Sequence, residues 1–149
     1  MSDVVGRIAA QVALAGLRGR RVADARRSIG TSFLINFAPV HWIARTQLPS
    51  GRWTGGYATS RSYLLAELCD WRMSIGGKAF RAKQLPVGVL TSLLQRLIGL
   101  RLFDARLTGP SANIKLRFQS GVSIVVQTGE TGQWWIGRRD GTISACDIR

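Results

Sequence analysis

Leu17-Arg18-Gly19-Arg20-Arg21-Val22-Ala23-Asp24-Ala25-Arg26 and Leu97-Ile98-Gly99-Leu100-Arg101-Leu102-Phe103-Asp104-Ala105-Arg106 agree, without a gap, at a leucine, a glycine, an arginine, an aspartate, an alanine and a final arginine. The register persists downstream. With one residue inserted in the second copy, the β-patterned Phe33-Leu34-Ile35-Asn36-Phe37 falls on Asn113-Ile114-Lys115-Leu116-Arg117-Phe118, Phe37 over Phe118. Each copy then reaches a tryptophan-led strand and a tight turn, Trp71-Arg72-Met73-Ser74-Ile75-Gly76-Gly77-Lys78 against Trp135-Ile136-Gly137-Arg138-Arg139-Asp140-Gly141-Thr142. Three matches in the same order predict an internal duplication, with one unit over 1–80 and a second over 86–149 in a single domain spanning 1–149.

Each unit reads as a helix, a glycine and a run of strands. Val4, Val5, Ile8, Val12 and Leu14 fall on one side of a helix ending at Gly16. Val89, Leu90, Leu93, Leu94 and Leu97 do the same after Pro86, ending at Gly99. The glycines are expected to cap the helices and the apolar stripes to pack on the sheets. Alternation predicts strands over 20–29, 32–38, 41–48, 62–75, 100–107, 114–119, 122–128, 134–138 and 142–147. Gly76-Gly77 and Asp140-Gly141 are hairpin dipeptides, because their residues tolerate positive φ. Ser120-Gly121 and the segment 129–132 are short enough to join neighbouring antiparallel strands. The expected class is therefore α+β, with two related helix-plus-antiparallel-meander halves about a pseudo-twofold axis. The glycine-rich segment 49–57 is the one irregular loop, expected to be a hairpin tip with one aromatic folded back onto the sheet.

The charge is lopsided: 21 Lys+Arg against 8 Asp+Glu give +13 at pH 7. Only Lys78, Lys83 and Lys115 are lysines. Arginine's planar fork suits phosphate and carboxylate recognition, so an acidic partner is expected; the competing account is a GC-rich genome that enriches Arg, Gly and Ala together. No apolar run approaches the roughly 18 residues of a membrane span, and Met1-Ser2-Asp3 lacks the positive start of an export signal. A cytoplasmic protein is expected. Cys69 and Cys146 have neither CxxC spacing nor a histidine cluster beside them, which predicts buried thiols and leaves a single disulfide open.

Chemistry-bearing residues are sparse. His41 is the only histidine, and beside Trp42 it reads as a structural, partly buried imidazole. No GxSxG, Walker or GxGxxG sequence is present, so neither a hydrolase triad nor a nucleotide site can be assembled, and no catalytic residue, metal or cofactor is expected. Asp24 and Asp104 occupy equivalent places, each followed by Ala-Arg, and are read as local ion-pair partners of Arg26 and Arg106. The candidate contacts for an acidic partner are Arg18, Arg20, Arg26, Arg45, Arg52, Arg61, Arg101 and Arg106, with Trp53 and Tyr57 as stacking groups; Arg21 and Arg27 extend the patch. Such a surface gains affinity for nucleic acid by counterion release and base stacking.

Ser62-Tyr63-Leu64-Leu65-Ala66-Glu67-Leu68-Cys69-Asp70-Trp71-Arg72 resembles a stretch of small, functionally uncharacterised bacterial proteins in which a Leu-His pair precedes Cys-x-Trp-Arg. Cys69, Trp71 and Arg72 match, while Ala66 stands at the histidine position. The resemblance implies no mechanism. The reading that follows is a non-enzymatic binding protein whose arginine-rich face engages nucleic acid or an acidic protein surface. The alternative is an immunity-type or assembly protein that occludes or scaffolds one protein partner. No membrane is expected as a partner, and a homo-oligomer is compatible with the sequence.

Overall fold

The computed structural model describes residues 2–138 and 141–145. In chain order the elements are α1 (Ser2–Ala15), β1 (Val22–Arg27), β2 (Phe33–Phe37), β3 (His41–Ile43), β4 (Thr46–Gln47), β5 (Trp53–Thr54), β6 (Tyr57–Thr59), β7 (Tyr63–Glu67), β8 (Asp70–Ile75), β9 (Lys78–Arg81), α2 (Val87–Gln95), β10 (Leu102–Leu107), β11 (Ile114–Phe118), β12 (Val122–Gln127), β13 (Gln133–Arg138) and β14 (Gly141–Ser144). The class is α+β and the strand pairings are antiparallel. No helix among the described residues is long and apolar enough to cross a membrane.

Two five-stranded sheets form, in the orders β1-β2-β7-β13-β14 and β10-β11-β12-β8-β9. Each takes three strands from one half of the chain and its closing hairpin from the other half, so the expected meander within each half is corrected. The apolar run 62–75 is not one strand. It breaks at Leu68, which adopts φ 57, and the chain passes from the first sheet to the second through the buried Cys69. The segment 129–132 is likewise a crossing from β12 to β13 and not a hairpin, tightened by a bond from Gly132 N–H to the Thr128 carbonyl (2.7 Å). Alternation cannot reveal such a crossing, because buried residues continue on both sides of it.

The two sheets correspond strand for strand. Ala25 pairs with Ile35 and Ala105 with Leu116, and both hairpins carry a register shift just before the aspartate, between Val22 and Asp24 and between Leu102 and Asp104. Trp71 Nε1 donates to the Thr31 carbonyl (2.8 Å) and Trp134 Nε1 to the Ala112 carbonyl (2.6 Å). The counterpart of Trp71 is thus Trp134, not Trp135. Trp71 and Trp134 are both buried, whereas Trp135 points to the other side of its strand, between Leu65 and Ser144. Gly76 and Gly77 form the expected turn with φ 55 and 83, and Ser120-Gly121 joins β11 to β12 with φ 65 and 70. Asp140 of the second expected turn lies outside the described residues, as does Cys146.

The outer edges of β1 and β10 meet at the bridge Arg21–Arg101. Around it the bonds are reciprocal: Gly19 N–H to Leu102 O (2.7 Å) and Gly99 N–H to Val22 O (2.8 Å), Val22 N–H to Leu100 O and Leu102 N–H to Arg20 O (both 2.9 Å). Gly19 and Gly99 reverse the chain with φ 81 and 88. The left-handed residue after the first helix is therefore Gly19, three positions past the expected Gly16.

The first helix also turns a different face inward. Gly6, Ala10, Ala13, Leu14 and Leu17 are buried, while Val4, Val5, Ile8 and Val12 are 57–70% exposed. Small residues let α1 lie close against β10, where Gln11 donates to the Ala105 carbonyl (3.2 Å) and accepts from Leu107 N–H (3.0 Å). Gln11 thereby covers an otherwise open sheet edge. Arg7 donates to the carbonyls of Gly109, Pro110 and Ser111 (2.6–3.0 Å), bracing the turn between β10 and β11. In α2 the expected face holds, with Leu90, Leu93 and Leu94 buried and Leu97 buried after the helix; Val89 is the exception, 39% exposed.

Candidate functional site

The sequence-predicted residues separate into two groups. At the seam between the sheets the arginines are engaged internally. Arg18 lies 2.9 Å from Asp104, which also faces Arg106 at 3.9 Å, and Arg26 lies 3.7 Å from Asp24. Arg101 donates to the Gly19 carbonyl (2.6 Å), its counterpart Arg21 to the Gly99 carbonyl (2.9 Å), and Arg27 to the Gly30 carbonyl (3.3 Å). Both aspartates are thus arginine-paired, as their sequence context suggested. Arg20 donates to the carbonyls of Gly16 and Ala38 (both 3.2 Å).

The second group belongs to an arm. The segment 49–57 is no loose tip: β3 pairs with β6 and β4 with β5, making a two-stranded hairpin inserted between β2 and β7. All residues from 39 to 54 are exposed. Trp53 is 56% and Trp42 67% exposed, so neither indole folds back onto the sheet, and His41 is exposed rather than partly buried. The Arg45 guanidinium carbon sits 4.7 Å from the Trp53 ring centre, a distance suited to cation–π attraction. Arg52 is exposed near the tip. The backbone of Tyr57 pairs with Ile43, and its side chain lies outside the described parts. Where the arm leaves the body, Arg20, His41 and Arg61 line a cleft of about 220 Å³.

A third surface was missed by the sequence reading. Side chains of successive strands stack in rows across a sheet, and in the second sheet one outward row runs Arg106, Lys115, Val125, Arg72, Arg81. It crosses five strands, roughly 19 Å at the usual interstrand spacing. Arg117 stands in the adjacent row, beside Ser123. Arg72, Arg81, Arg106 and Arg117 are exposed, and none of Arg72, Lys115 and Arg117 is ion-paired among the described residues. Among the described residues acids pair only at the flanks, Asp104 at Arg106 and Asp70 at Arg81 (3.2 Å). Phe103, 57% exposed, walls a groove of about 270 Å³ on this face with Lys115, Arg117 and Ser123. The signal was present in the strand alternation, as cations at Lys115, Arg117 and Arg72, but the row appears only when β8 is set beside β12.

The corresponding row of the first sheet reads Arg26, Leu34, Leu65, Trp135, Ser144. Its three central positions are apolar, Leu34 and Trp135 standing where the second sheet has Lys115 and Arg72. Of the Cys-x-Trp-Arg residues, Cys69 and Trp71 are buried and Arg72 is in the cation row. No family model matches the chain, and neither a curated protein nor a solved structure matches it.

Proposed function

We propose that the protein is a non-enzymatic nucleic-acid-binding protein whose contact surface is the outer face of the second sheet, and that its two halves descend from one duplicated unit. The observation that carries the functional reading is the row Arg106, Lys115, Arg72, Arg81, whose two central cations, with Arg117 in the adjacent row, have no ion-pair partner among the described residues. An open sheet face that combines Lys/Arg with an exposed aromatic such as Phe103 offers phosphate neutralisation and a stacking platform together. The ion pairs at Asp24 and Asp104 support a non-enzymatic reading, since they occupy the carboxylates an acid–base mechanism would need. The reciprocal bonds of the seam and the matching bulges support the duplication.

The test is a fluorescence-anisotropy titration of labelled 12-mer DNA and RNA across a salt series. Wild type is expected to bind with log-linear salt dependence, and Arg72→Ala/Arg117→Ala to lower the slope by roughly 1.4 on a single strand. Lys78→Ala/Arg96→Ala removes equal charge elsewhere and is expected to change little. Equal effects from the two double variants would reduce the charge to composition and overturn the assignment of the face. A second reading, one protein partner, is favoured by the exposed stripe Val4, Val5, Ile8 and Val12; binding that ignores salt would support it.

A further inference from the structure

We propose that the β3–β6 arm is a separate contact that stacks on unpaired bases, so that the protein selects single strands over duplexes; this rests on the nucleic-acid reading above. The arm is a built element: its tip is closed by bonds from Leu48 N–H to Arg52 O (2.7 Å) and Gly51 N–H to Leu48 O (2.9 Å), and its middle by Gly56 N–H to Ile43 O (2.7 Å). At Gly55, with φ 80, a Cβ would collide with the Ala44 carbonyl. Such ordering lowers the entropic cost of presenting side chains to a ligand.

What the arm presents is specific in kind. Trp42, Ile43, Leu48 and Trp53 are 40–67% exposed, an apolar load that the body of the molecule does not cover. No Asp or Glu occurs between Asp24 and Glu67, while His41, Arg45, Arg52 and Arg61 lie on the arm or at its base. The partner is therefore anionic and also offers flat apolar surfaces, which describes a single-stranded nucleic acid: phosphates face the arginines and bases face the indoles. A duplex keeps its base faces stacked on one another and cannot offer them. Arg45 occupies one face of Trp53 and leaves the other for a base, a cation–π–base sandwich. Trp42 and Trp53 are about five strand residues apart along the arm, roughly 16 Å, so they meet different nucleotides.

The experiment compares wild type, Trp42→Leu/Trp53→Leu and Arg72→Ala/Arg117→Ala on a 12-mer single strand, the same strand with abasic sites, and the matching duplex. Leucine keeps the arm apolar but removes the ring plane, and far-UV circular dichroism checks that the body is folded. The arm variant is expected to bind the single strand about ten-fold or more weakly, to bind the duplex as wild type does, and to lose discrimination against the abasic strand. Unchanged single-strand affinity, or equal losses on single strand and duplex, overturns the arm's role while leaving the sheet face standing. Absence of any binding by wild type, with the sheet variant equally silent, overturns the nucleic-acid reading itself and this inference with it.

Discussion

Dividing the chain between Leu85 and Pro86 is expected to yield two fragments, 1–85 and 86–149, neither of which folds as a monomer. The first keeps β1, β2 and β7 but strands the β8–β9 hairpin, whose partner β12 is in the other fragment. The second keeps β10, β11 and β12 but strands β13–β14. The strand ladders lost are β13 with β7 and β12 with β8, of five and six register pairs, beside the bonds at the Arg21–Arg101 bridge. That is about ten backbone hydrogen bonds at about 1 kcal/mol net each. Trp71 and Trp134, at most 1% exposed in the whole chain, would also lose the core packed around them. A loss of about 10 kcal/mol is as large as the whole stability of a typical domain, about 5–15 kcal/mol. Each fragment should give a non-cooperative melt by circular dichroism. Equimolar mixing should restore the wild-type spectrum and a blue-shifted tryptophan emission. Because the halves correspond so closely, a fragment that does fold alone should do so as a dimer by sedimentation. A monomeric fragment with a cooperative transition would refute the exchange of hairpins.

Trp71→Phe and Trp134→Phe should each cost about 1–3 kcal/mol in urea unfolding through the orphaned carbonyls of Thr31 and Ala112; a large inequality would deny the correspondence of the two sites. Leu68→Gly should be neutral or stabilising by up to about 1 kcal/mol, since left-handed φ costs a leucine about 1–2 kcal/mol and glycine's unfolded-state entropy offsets part of it. Arg7→Ala should destabilise by about 1–2 kcal/mol through its three carbonyl contacts, whereas Ile8→Ser should fall within about 0.5 kcal/mol because its side chain faces solvent. A reversed order in thermal unfolding would restore the helix face that the apolar pattern suggested.

The helices, most strands and the hairpin glycines at 76–77 were legible because each leaves a local mark. The pairing of Asp24 with Arg26 and of Asp104 with Arg106 was legible for the same reason, two residues apart on one strand. The exchange was not. Leu65 and Met73 both alternate correctly, and only the backbone at Leu68 separates their sheets. The misread helix face has a different cause: Val4, Val5, Ile8 and Val12 are the larger apolar residues, but α1 approaches β10 too closely to seat them, and alanine wins the inner side. The Trp71–Trp135 alignment failed because Trp134-Trp135 offers two indoles, and only burial distinguishes the one whose N–H reaches a carbonyl.

The paired architecture also provides an internal control on the +13 charge. If arginine abundance reflected composition alone, equivalent outward positions of the two sheets should carry it about equally. They do not: Lys115 stands where the first sheet has Leu34, Arg72 where it has Trp135, and Arg81 where it has Ser144. Only the edge position is cationic in both, as Arg26 and Arg106, and there each arginine has an aspartate beside it. The backbone asks for nothing charged at these sites, since the first sheet fills them with Leu34, Trp135 and Ser144 in the same register. Scaffold demands therefore cancel in the comparison, and what is left is a difference in surface chemistry between two equivalent faces. That difference is what a one-sided electrostatic contact requires, and an even spread of codon-driven arginine does not produce it.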